Sequence, residues 1–124
     1  MASRLEEFFT QQAGEHLRSI VKYEHSTFEL VYLREDIDDQ YTDREIERAI
    51  DDSRMESLST SFYGNLFSEG HGDLTCHVKC FENVVEMNFV LADGVGAVVA
   101  LDADAMSEAH GLVADAREIV LEER

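Results

Sequence analysis

Between residues 74 and 101 three apolar runs follow one another with only two short interruptions, and no other stretch of the chain restricts the fold so tightly. Leu74, Cys76, Val78 and Cys80 alternate with Thr75, His77 and Lys79. Val85, Met87, Phe89 and Leu91 alternate with Glu86 and Asn88, and residues 95–101 are a third run of small and branched side chains. Period-two alternation sends one set of side chains to each face of a pleated strand. The breaks are Glu82-Asn83 and Asp93-Gly94, the second being a dipeptide that tight hairpins favour because both central residues take φ above zero. The spacing predicts a meander of three antiparallel strands.

Upstream, Ser3 and Glu6 have capping-box spacing, and Leu5, Phe9, Ala13, Leu17 and Ile20 follow at helical intervals, which predicts a first helix reaching Tyr23. Residues 28–34, rich in branched and aromatic side chains, predict a strand buried on both faces. Thr42 and Glu45 form a second capping box. The helix it opens has an inner stripe of Ile46, Ala49, Ile50 and Ser53 and turns Asp43, Glu47, Arg48, Asp51 and Arg54 to water; it is expected to reach Leu58, or to continue, kinked or broken at Gly64, toward Phe67, before the turn cluster 69–73. Asp102 or Asp104 caps a last helix with Met106, Ala109, Val113, Ala116 and Val120 on one face. The expected fold class is α+β: a single domain over residues 1–124 in the order α-β-α-β-β-β-α. One mostly antiparallel sheet of four strands, or five where residues 37–41 pair, carries three helices.

Charge narrows the setting. The chain holds 27 Asp and Glu against 10 Lys and Arg, and only Lys22 and Lys79 are lysines. Carboxylates spread this widely repel one another in dilute buffer, while at molar salt the screening length falls to about 3 Å and the repulsion fades. A halophilic protein that requires high potassium or sodium salt fits this balance. No cluster of Lys and Arg exists to displace counterions from a phosphate backbone, so nucleic acid is not an expected partner. No apolar run approaches a membrane span and the first residues lack a secretory pattern, which predicts a cytoplasmic protein without membrane association.

The element order resembles that of roadblock, longin and profilin-like domains and, more loosely, of PAS and GAF sensor domains. That resemblance is one of order alone. It covers most of the chain and implies an adaptor or sensor type of module. Residues 32–37 (Tyr32 to Ile37), Tyr41, residues 81–85 (Phe81 to Val85) with Phe89, and residues 96–102 resemble a pattern that recurs in small acidic haloarchaeal proteins of uncharacterised function. This second resemblance runs over residues 28–102 and implies a high-salt setting but no activity.

Candidate chemistry is thin. His71, Cys76, His77 and Cys80 offer the donor types zinc takes, but the strand pattern puts His77 on the opposite face from the thiols. On one strand Cys76 and Cys80 stand about 13 Å apart, which excludes a disulfide between them and leaves two buried structural thiols as the expectation. Asp36, Asp38, Gln40 and Glu47 mimic part of a calcium loop, yet Tyr41 occupies the position that needs glycine. Gly94 and Gly96 do not complete a phosphate-binding motif, and Ser57, Ser59, Thr60 and Ser61 lack a nucleophile elbow. No catalytic residue, cofactor or metal ligand is assigned.

Phe62, Tyr63, Leu66 and Phe67 crowd four large apolar side chains around Gly64; closure of the core is the favoured reading, and an exposed patch that makes them the candidate interface is the functional lead. The expected function is a non-catalytic protein–protein interaction or regulatory module, homodimeric or paired with another protein, presenting its sheet edge or this segment. The alternative is a small-ligand or metal and redox sensor, or a small enzyme, using a pocket near Cys76 and Cys80.

Overall fold

The computed structural model describes the backbone of residues 4–123 and the side chains of that range outside residues 60–69. Its helices are α1 (Arg4–Ala13), α2 (Glu35–Gln40), α3 (Asp43–His71) and α4 (Ser107–Glu123). The strands are β1 (Leu17–Glu24), β2 (Thr27–Leu33), β3 (Cys76–Cys80), β4 (Val84–Ala92) and β5 (Val95–Asp102). They form one antiparallel sheet in the order β2-β1-β5-β4-β3. The class is the α+β class expected, with five strands.

The fifth strand is not residues 37–41, which lie largely in α2, but β1, where helical spacing had pointed to a continuation of α1. Gly14 takes φ +56, a left-handed conformation that ends α1 at Ala13. The misleading interval has a local cause. Leu17 pairs with Leu101 and Ile20 with Val99, and the register shifts between Leu17 and Ser19. A bulge of this kind puts side chains three apart on the same face of a strand, so Leu17 and Ile20 imitate a helical stripe. Both are essentially fully buried, in one cluster with Phe9, Val99 and Leu101. α1 covers this cluster through Phe9, whose ring lies 6.5 Å from that of Phe89.

The sheet's other face carries α3. Its capping box is formed: the Glu45 N–H donates to Thr42 Oγ1 at 3.2 Å and the Thr42 N–H to Glu45 Oε1 at 2.9 Å. Ile50 packs against Val21 and Tyr23 with Ile46 and Val98 around them. The inner row is Ile46, Ile50, Ser53 and Ser57, whereas Ala49, expected in it, is exposed. β2 is an edge strand. Phe28 and Leu30 are exposed, contrary to burial on both faces.

Asp102 does not cap a helix by its side chain. Its carboxylate accepts from Arg34 at 2.8 and 3.1 Å and from Arg18 at 3.1 Å, with His16 Nδ1 at 3.5 Å. Arg34 also donates to Asp36 and to the Glu15 carbonyl. This clasp ties the end of β5 to the starts of β1 and α2. The Arg34 hydrogen bonds, opposed by burial and reinforced by Arg18, hold the Asp102 carboxyl down at about 2.

Candidate functional site

The one fully buried polar group on the sheet is Asn88, at 0% exposure among the described residues of β4. Its partners account for every polar atom of its side chain. Tyr23, itself 1% exposed, donates its hydroxyl to Asn88 Oδ1 at 2.6 Å, and Asn88 Nδ2 donates to the Ser53 carbonyl and to Glu56 Oε1, both at 3.0 Å. Lys79 Nζ donates to Glu56 Oε1 at 3.3 Å and lies 3.5 Å from Glu86. Burial works against the charge of Glu56, yet the Asn88 hydrogen bond and Lys79 outweigh it and keep its carboxyl below the usual range. Burial raises the Tyr23 hydroxyl. One turn further along α3, Ser57 Oγ accepts the Gly94 N–H at 2.8 Å, which fixes the β4–β5 hairpin against the helix.

Gly96 makes room for this arrangement. A Cβ there would lie 2.3 Å from the Phe89 carbonyl oxygen and 2.6 Å from the Tyr23 hydroxyl. The network is closed on itself and presents no free nucleophile, so what it does chemically is hold α3 on the sheet.

Beside it runs an open cleft of ≈ 690 Å³ between the sheet and the first half of α3. Val21, Val98 and Ala100 floor it, Ile46 and Ile50 wall it, and Arg48 stands at the rim. Neither Cys76 nor Cys80 lines it, so the cavity is not the one expected between the meander and the last helix.

The opposite edge is different in kind. Phe81 N–H donates to the Val84 carbonyl and Val90 N–H to the Thr75 carbonyl, which with the Cys76–Phe89 to Cys80–Val85 register turns the backbone of His77 and Lys79 toward β4. The N–H and C=O of Cys76, Val78 and Cys80 therefore point away from the sheet. Val78 is 54% exposed, and Phe81 is exposed beside it. The thiols are not buried as expected: Cys76 is half-buried and Cys80 exposed. Burial still raises the Cys76 thiol.

α4 starts at the same edge, where His110 Nε2 lies 2.7 Å from the Phe81 carbonyl oxygen. From Leu112 to Glu123 every residue is exposed, including Leu112 at 72% and Val120 at 65%. Of the apolar face expected on this helix, Met106 lies before it in a 3-10 turn and packs on the core, whereas Ala109, Val113, Ala116 and Val120 are exposed.

Of the predicted interface, the side chains of Phe62, Tyr63, Leu66 and Phe67 lie outside the described residues. Among the described residues, no three His, Cys, Asp or Glu side chains gather as metal ligands, and no helix is long and apolar enough to cross a membrane. Sequence reasoning missed the Tyr23–Asn88–Glu56 network. The only signal for it was Asn88, a short amide in the middle of a strand where amides are disfavoured.

Fold and surface together define a small α+β domain with one antiparallel sheet and an uncovered edge. The chain belongs to the family described as Domain of unknown function (DUF7522), whose profile matches residues 3–121. No curated protein and no solved structure matches it.

Proposed function

We propose that the chain is a non-catalytic protein–protein interaction or regulatory module that works as a homodimer in the cytoplasm of a halophilic archaeon. The observation that carries this reading is α4, a helix of which every residue from 112 to 123 is exposed although Leu112, Val113, Ala116, Ile119 and Val120 share one side. At 100° per residue these five fall within about a third of the helix circumference, the width of a packing face. A second copy is the occupant favoured because α4 leaves the domain where β3 also has backbone hydrogen-bonding groups to offer. The salt part rests on the excess of 27 acids over 10 bases.

Native mass spectrometry, with light scattering at low and molar potassium chloride, tests both parts. The dimer mass is expected at molar salt, together with a melting midpoint that climbs as the screening length falls from about 10 Å to about 3 Å. A monomer mass at every salt and protein concentration overturns the dimer, and a flat midpoint overturns the halophilic assignment.

The cleft supports a second reading, a sensor for a small amphipathic ligand, since ≈ 690 Å³ lies in the size class of ligand pockets. Thermal shifts against a panel of small apolar carboxylates and amines test it. No shift across the panel removes that reading.

A further inference from the structure

We infer that two copies join edge to edge through β3, in an antiparallel register centred on Val78; this rests on the homodimer reading above. The sheet has two edges, and they differ. β2 carries Glu29 in mid-strand, and its pairing with β1 is broken by a register shift between Ile20 and Val21. Arg54 Nη2 also donates to its first carbonyl, that of Thr27. Bulges and charges are the devices that discourage a strand from pairing outward. β3 has no such shift and no acid. Its one lysine, Lys79, is drawn back over the sheet to Glu56 and Glu86. In a chain with a formal net charge of -17, an acid-free edge is where a second copy meets least repulsion.

The register follows from the backbone. The outward groups belong to Cys76, Val78 and Cys80, and a two-fold axis at Val78 sets Val78 opposite itself and Cys76 opposite Cys80 of the second copy. All three residues then exchange both N–H and C=O with a partner. A slide of two residues either way leaves one of the three unmatched. Residues exchanging both bonds stand about 5.5 Å apart at Cα, inside the range of about 4.4–6.8 Å that short thiol bridges span. Within one chain the same cysteines are too far apart to bridge, at about 13 Å.

The test treats the intact chain at molar potassium chloride with dibromobimane, which becomes fluorescent when it joins two neighbouring thiols. Wild type is expected to give a covalent, fluorescent dimer. C76S and C80S alone are expected to lose it, because each leaves only like cysteines at opposite ends of the pairing. An equal mixture of the two variants is expected to regain about half of it, since each mixed dimer retains one Cys76–Cys80 pair. Val78→Glu sets two carboxylates face to face and is expected to weaken association at least tenfold with an unchanged far-ultraviolet spectrum. Bridging that persists in C76S alone, or a dimer mass without bridging in wild type, overturns this register and leaves the homodimer standing. A monomer mass throughout overturns both.

Discussion

At the centre of the sheet Leu17, Ile20, Val99 and Leu101 are at most 4% exposed, whereas at the β3 edge Val78 is 54% and Phe81 52% exposed. β3, β4 and β5 all read in sequence as apolar strands, whereas Leu17 and Ile20 of β1 carried helical spacing. Alternation fixes only which face a side chain takes; whether that face is buried depends on what lies over it. The central strands are covered by α1 on one side and α3 on the other, and the Asn88 network pins the second of these layers. Over the Val78 face of β3 no described side chain gives such cover, and the helix that starts beside it is exposed from Leu112 to Glu123.

Truncation breaks or upholds this contrast most directly. Ile20→Ala empties part of a closed core and is expected to cost about 2–5 kcal/mol in urea unfolding at molar salt. Val78→Ala, measured below the concentration at which copies associate, is expected to cost under about 0.5 kcal/mol. Comparable losses at the two positions would mean that the edge is packed after all.

Asn88→Ala sharpens the account of what holds α3. It leaves the buried Tyr23 hydroxyl and the Ser53 carbonyl without their partner, a loss of about 1–3 kcal/mol in the same assay. A change near zero would show that α3 is held by Ile50 and its apolar neighbours alone.

Why some of this was readable and some not comes down to range. The Thr42–Glu45 cap, the Asp93-Gly94 hairpin and the β3–β5 meander are set by residues within a few positions of one another, and all of them formed, although at the hairpin only Gly94 takes φ above zero (+75) and Asp93 does not, contrary to the turn type expected. β1 was hidden because its bulge makes Leu17 and Ile20 keep a helical interval, and only pairing with β5, some eighty residues away, reveals it. The Asp102 clasp joins residues just as remote: Arg18 and Arg34 lie 84 and 68 positions away, so a carboxylate at a helix start looked like a cap. On β3, alternation correctly gave the faces but carried no information about what would cover them, and the exposed thiol of Cys80 was therefore read as buried.

Acid probes the clasp at a smaller scale. Asp102 titrates at about 2 in the folded chain, below the ordinary aspartate value of 3.8, so its contribution is fully present above pH 4. It is lost as pH falls from there toward 2. With the side chain 27% exposed, solvent screening reduces the effect, and about 1 kcal/mol is expected. The gap in stability between wild type and Asp102→Asn should hold at pH 5 and close toward pH 2. A gap that does not change over that interval would mean the ion pairs with Arg34 and Arg18 add nothing to the fold.

The smallest expected effect on stability is the one that separates the regions most cleanly. Leu112 and Val120 are 72% and 65% exposed on α4, so replacing both with serine removes apolar surface that the isolated domain does not bury. The monomer's unfolding free energy should move by no more than about 0.5 kcal/mol, the usual range for surface positions. Equivalent polar substitutions of Ile20 or Val99, both fully buried, are expected to cost several kcal/mol. If α4 instead serves the dimer, the double variant keeps the monomer's melting curve at low protein concentration and shifts the monomer–dimer equilibrium at high concentration. Sedimentation equilibrium across a hundredfold concentration range reads that shift directly. Loss of several kcal/mol from the monomer would show that α4 folds back onto its own domain in solution, and the contrast between a covered centre and an open edge would no longer hold.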